Sequence, residues 1–99
     1  MATFLVETYE PRARDSALAA LEARARAAAR GRGIRYVRSI FTPQDELCLH
    51  VFESPSRERL EQSLAVAGFG YVRVTEAAEL PRSQRDRAGA WTTKERRNR

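Results

Sequence analysis

The chain has 99 residues, of which 42% are hydrophobic and 31% charged, and a formal net charge of +5. That length supports one small domain, whose core is modest unless a second chain adds buried area. A single cysteine excludes an intramolecular disulfide, and no Met-led apolar run resembles a signal peptide or a membrane span, so the expected compartment is a reducing cytoplasm, with no membrane association.

Residues 2 to 9 read as a strand, rich in β-branched and aromatic side chains and bounded by the Glu10-Pro11 break. Asp15 or Ser16 is the expected N-cap of a first helix, along which Leu18, Leu21, Ala25 and Ala28 recur at helical spacing until Gly31 and Gly33 stop it. Ala and Arg, both strong helix formers, dominate that segment. Two strands follow, 34 to 42 and 46 to 53, joined by Pro43-Gln44-Asp45, whose residue types suit a type I turn. Ser54 is the expected cap of a second helix, with Pro55 in its first turn, where a missing N–H costs little. Leu60, Leu64 and Ala67 form its apolar stripe, Gly68 and Gly70 end it, and residues 71 to 80 make a fourth strand.

The charge is uneven along the chain. Residues 1 to 80 hold 11 Arg and 11 Asp or Glu, whereas residues 81 to 99 hold seven basic groups against Asp86 and Glu95. All of the excess charge therefore lies in an Arg-rich C-terminal tail, which also carries Trp91 and Lys94, and Pro81 is the expected domain boundary. Clustered Arg with one Trp allows nucleic-acid binding through that tail, although a charge run is more often a solvated segment.

The order βαββαβ predicts an α+β fold of the ferredoxin-like, split βαβ type. Two helices should cover one face of a four-stranded antiparallel sheet. In the hairpin, pairing Phe41 with Leu47 places Arg38 opposite His50, Ile40 opposite Cys48 and Tyr36 opposite Phe52. Val37, Phe41, Leu47, Leu49 and Val51, the more uniformly apolar set, are then expected against the helices. Ile34, Tyr36, Arg38, Ile40, Cys48, His50 and Phe52 are expected on the open face, with Leu5 and Tyr71 beside them. An apolar face of this kind marks an interface or a ligand site, and a second copy stacking sheet on sheet would make a dimeric α+β barrel enclosing a cavity.

Cys48 and His50, the only cysteine and the only histidine, share one face because side chains alternate along a strand. Together with Glu7 they are the candidate metal ligands. Cys-x-His by itself lacks the paired clusters of a zinc site, so a full shell needs Glu7, a symmetry mate or water. Arg38 beside His50 disfavours a cation and favours an anion, or lowers the histidine pKa. Glu7 either pairs with Arg38 or Arg73 or serves with His50 as a base and acid pair for enolisation or cyclisation of a small ketone. In that second case Tyr36 and Arg38 complete a catalytic set, with Tyr36 donating to a developing oxyanion. No phosphate-binding Gly loop, nucleophile motif or dinucleotide fingerprint occurs, so no nucleotide or flavin cofactor is indicated.

Thr3-Phe4-Leu5-Val6-Glu7, Ile34 to Ser39, Val51 to Pro55, Ala67-Gly68-Phe69 and Val72 to Glu76 resemble a family of small bacterial domains whose best-described members bind nickel. The resemblance covers about residues 3 to 80 and implies a ferredoxin-like dimer that binds nickel or another divalent transition metal. This chain departs from the family pattern at two positions: His50 stands where Cys is frequent, and Ser63 where His is frequent. The first exchange keeps a ligand suited to nickel and the second removes one. Three readings follow: a dimeric metal-binding protein; a cofactor-independent cyclase, isomerase or monooxygenase acting on a small aromatic or polyketide-like substrate in the barrel cavity; and a partner protein whose open face is only a dimer interface.

Overall fold

The first strand, β1 (Ala2–Tyr9), sends Phe4, Val6 and Thr8 into the core and Thr3, Leu5 and Glu7 to the opposite face, the alternation that its sequence dictates. The computed structural model describes residues 1 to 78 and Leu80. The remaining elements are α1 (Asp15–Ala29), β2 (Arg35–Thr42), β3 (Leu47–Ser54), α2 (Arg57–Val66) and β4 (Arg73–Ala77). The strands form one sheet in the order β2-β3-β1-β4, every neighbouring pair antiparallel, which is the ferredoxin-like α+β fold. Both helices lie on one side of it. The expected boundary at Pro81 and the basic tail lie outside the described residues.

Capping differs from expectation at both helices. The N-cap of α1 is Arg14, which makes no side-chain capping bond, and Asp15 is already helical, placing its carboxylate in the first turn where the helix dipole favours it. Helix α1 ends before Gly31, whose φ of 73° is a left-handed conformation open to glycine at no cost. The cap of α2 is Ser56 rather than Ser54, with Ser56 Oγ accepting from Arg59 N–H at 3.1 Å. Ser54 is instead the last residue of β3, fully buried, and donates to Ser56 O at 2.8 Å. At the far end of α2, Gly68 N–H donates to Ala65 O and Phe69 N–H to Leu64 O, which folds Phe69 back under the sheet.

The core between sheet and helices is built from Phe4, Val6, Phe52, Leu60, Leu64 and Phe69, with Ala25, Ala28 and Ala29 letting α1 approach closely. Truncating Phe52, which is wholly buried, removes the largest side chain of β3 from this core, and such changes cost about 3–5 kcal/mol.

The hairpin register departs from the sequence reading in a way that positions the site. The turn is Pro43 to Glu46, closed by Asp45 N–H to Thr42 O and Glu46 N–H to Pro43 O, so Thr42 pairs with Leu47 and Phe41 with Cys48. Glu46 adopts φ 56°, held there by Tyr9 Oη and Arg12 N–H donating to its carboxylate. Ser39, not Arg38, lies opposite His50, and Ile40 lies opposite Leu49 rather than Cys48. Between Tyr36 and Arg38 the ladder is bulged, which restores the expected pairing of Tyr36 with Phe52.

Candidate functional site

The expected faces of β3 are exchanged. Cys48, His50 and Phe52 point at the helices with 3%, 0% and 0% exposure, while Leu47, Leu49 and Val51 occupy the open face. The cause is the pairing with β1: Phe4 lies opposite Phe52, Val6 opposite His50 and Thr8 opposite Cys48, so the inward residues of both strands coincide. Tyr36 and Phe41 also pack against the core, whereas Arg38 and Ile40 are exposed.

His50 is the one fully buried ionisable group of the described residues, and each of its ring nitrogens meets a hydroxyl. Nε2 lies 3.0 Å from Thr8 Oγ1 and Nδ1 lies 2.6 Å from Ser39 Oγ, which in turn lies 2.7 Å from Tyr36 Oη. With a neutral imidazole two directions of hydrogen bonding satisfy this chain: Thr8 donates to Nε2 while Nδ1–H donates to Ser39, or Ser39 donates to Nδ1 while Nε2–H donates to Thr8. The Phe69 ring packs edge-on against His50 at 5.2 Å, and the Arg24 guanidinium sits over Phe69 at 5.7 Å. Burial, with a smaller contribution from Arg24, lowers the His50 pKa from 6.5 to about 4. The imidazole is therefore uncharged at neutral pH.

The other sequence candidates are dispersed. Glu7 is on the opposite face of the sheet from His50, paired with Leu49 in the register, and receives Arg73 Nε at 2.9 Å and Nη2 at 2.8 Å. It is the ion-paired residue of the two alternatives, and the Glu7–His50 acid and base pair is corrected by the sheet that separates them. Arg38, also on the open side, does not neighbour His50, and the cation that lowers its pKa is Arg24. Only Tyr36 joins His50 in one hydrogen-bonded group. Burial raises the Cys48 thiol, and Glu10 adds to the effect, so Cys48 is a protonated thiol within the core.

These residues do not fit a metal. Both nitrogens of His50 are engaged by hydroxyls, Cys48 is held as a thiol, and Glu7 faces away from both. Among the described residues no three His, Cys, Asp or Glu side chains converge. Ser63 donates its hydroxyl to Ala28 O and so ties α2 to α1.

A cleft of about 250 Å³ opens beside this group, between α1 and the β2–β3 hairpin, lined by Leu18, Ala19, Glu22, Ser39, Phe41 and Cys48. Ser39 is thus the point at which the buried hydroxyl and imidazole chain reaches a surface.

No family model and no curated protein matches the chain. Among solved structures it is similar to SCO4226 from Streptomyces coelicolor A3(2), with a TM-score of 0.68 and 15% identity over 81% of this chain and 100% of that one. At that identity the likeness carries the fold alone. No helix among the described residues is long and apolar enough to cross a membrane.

Three members of the site escaped the sequence reading. Thr8 was legible in principle, as the next inward position after Phe4 and Val6. Ser39 shares the inward face with Phe41 by alternation, but the register shift at the turn and the exchanged faces of β3 hid its pairing with His50. Phe69 carried a signal only as the apolar residue after Gly68, where a helix C-terminal motif places a hydrophobic contact.

Proposed function

We propose that this chain is a small homodimeric binding protein in which the open sheet face is the subunit interface, giving a dimeric α+β barrel. The observation that carries this reading is the contiguous apolar set on that face. Leu5 lies opposite Val51 and Ile40 opposite Leu49, with Leu47 alongside, and Ile40 is 45% exposed. Monomers rarely leave such a surface bare, and a two-fold interface uses one self-complementary patch twice. Arg35–Glu53 supplies a polar rim at one end, and Glu7, beside Leu49 on the same face, is neutralised by Arg73.

Binding rather than catalysis is favoured by the state of His50. A general base works best with a pKa near the operating pH, and a wholly buried imidazole near 4 with both nitrogens engaged is far from that condition. Nickel or another divalent metal is not part of this reading, because Cys48, His50 and Glu7 do not converge.

Sedimentation velocity tests the assembly. The wild-type chain should sediment as a dimer, and Leu49→Asp, which puts a charge at the centre of the patch, should sediment as a folded monomer. A wild-type monomer at high micromolar concentration would overturn the proposal.

A further inference from the structure

Residues 23 to 44 contain six arginines and no acidic residue, although the first 80 residues are balanced in charge. The fold gathers the middle of this run at the α1–β2 turn. One cleft of about 410 Å³ is lined by Arg26, Arg30 and Arg35 together with Tyr36. A second, of about 430 Å³, is lined by Arg32 and Arg59. Gly31 belongs to both, so the two clefts adjoin across the turn. A Cβ at Gly31 would meet nothing within 4 Å, which means that the backbone there is open to an approaching ligand.

The acids nearby do not cancel this charge. Glu22 pairs with Arg26 at 3.3 Å and Glu53 with Arg35 at 3.4 Å. Among the described residues Arg30, Arg32 and Arg59 meet no carboxylate within 4.0 Å; the Arg59 guanidinium donates to Arg32 O, at 3.4 Å, which pins α2 to the turn. Three guanidinium groups are therefore left to face solvent around one glycine.

We infer that the α1–β2 turn binds the phosphodiester backbone of a nucleic-acid strand, with Arg30, Arg32 and Arg59 as the phosphate contacts. Guanidinium groups match phosphate oxygens in a bidentate fork. A single small anion is held best in an enclosed pocket, whereas two open clefts side by side suit a ligand that repeats its charge along its length. The basic segment 81 to 99, which carries the whole +5 excess, adds to the attraction of a polyanion. This inference does not depend on the subunit interface, which uses the other face of the sheet.

The test is fluorescence anisotropy of the full chain with a labelled oligothymidylate of roughly 20 nucleotides. Wild type should bind, with an affinity that falls steeply as salt rises. Substituting Arg30, Arg32 and Arg59 together by Ala removes three contacts. At about 0.7 decade per contact for each decade of salt, the affinity near 0.1 M salt should drop about 100-fold and the salt slope by about 2. The matching triple Lys variant keeps the charge and should retain binding within a few-fold, and circular dichroism should show both variants folded. Four results would each overturn the inference: no binding by wild type at about 50 mM salt, where phosphate contacts are strongest; an Ala variant that binds as wild type does while Ser substitutions of the tail arginines abolish binding; complete displacement by millimolar inorganic phosphate; and equally tight binding of polyglutamate.

Discussion

The buried imidazole makes the stability of this protein depend on pH with a sign and size that follow from its surroundings. In the unfolded chain His50 takes up a proton as the pH falls through 6.5, whereas in the folded chain it does so only near 4. Between those values the unfolded state binds more protons, so the contribution of His50 is fully present above pH 6.5 and is lost as the pH falls towards 4. With about 1.4 kcal/mol for each pH unit, the complete loss is about 3 kcal/mol, reached below pH 4. On the same basis it is about 1.4 kcal/mol at pH 5.5 and about 2.5 kcal/mol at pH 4.5. Other groups titrate in this range, so the measurement is a difference. Urea unfolding of wild type and His50→Gln, followed by circular dichroism at one protein concentration, should give stability curves that run parallel above pH 7 and converge or cross below pH 6.5. The glutamine keeps donor and acceptor capacity towards Thr8 and Ser39 but does not titrate. Parallel curves down to pH 4.5 would show that the imidazole is not held neutral, and the account of the site built on its burial would fail.

Three further outcomes are expected. Gly33→Ala should lower the melting temperature, with a cost of about 1–2 kcal/mol, because Gly33 has φ 72° and an added Cβ would sit 3.2 Å from the Arg59 guanidinium; an unchanged melting temperature would contradict the turn geometry. Cys48, 3% exposed at the wall of the α1 cleft and with its thiol pKa raised, should react with a disulfide reagent far more slowly than an exposed cysteine, and reaction at the rate of an exposed cysteine would contradict its burial. Calorimetric titration with Ni²⁺ should give no saturable heat, and a stoichiometric site would reinstate the metal reading that the dispersal of Glu7, Cys48 and His50 removes.

Much of the fold was legible because its punctuation is local. The Glu10-Pro11 break ends β1 at Tyr9, and Gly31 stops α1 by supplying a left-handed residue after its last turn. The caps were less legible, because each choice depends on what the neighbouring strand needs. Ser54 reads as a helix cap in isolation, but in the fold it is paired with Ala2 in the sheet and its hydroxyl serves the true cap residue, Ser56. The site was legible only in part. That Cys48 and His50 share a face needs nothing but strand alternation, whereas their partners depend on register, and register depends on two backbone features at residues without a sequence signal. Glu46 takes a left-handed φ although it is not glycine, and the bulge lies between Tyr36 and Arg38, where no glycine marks it. The first shifts the pairing by one residue and the second shifts it back. Tyr36 opposite Phe52 was therefore expected correctly, while every pair between the turn and the bulge was displaced.

The exchange of faces on β3 has a different origin. Assigning the more apolar face to the core assumes that a sheet has one buried side. In β3 the run Leu47-Cys48-Leu49-His50-Val51-Phe52 is nearly continuous in apolar character, and its two sets are separated only by the thiol and the imidazole. Continuous runs of this type belong to strands covered on both faces, and alternating ones to strands with one face in water. The helices cover Cys48, His50 and Phe52, and Thr8 and Ser39 make the buried imidazole tolerable there. The outward set of Leu47, Leu49 and Val51 has no polar group to satisfy and is left for a second layer. The outward side of β3, apolar from Leu47 to Val51 with Glu53 ion-paired to Arg35 at its end, is thus the side that a second subunit can cover while leaving the strand's one charged side chain at the edge. The mixed side can be buried only by the chain's own hydroxyl groups, already in position at 2.6 and 3.0 Å from the ring.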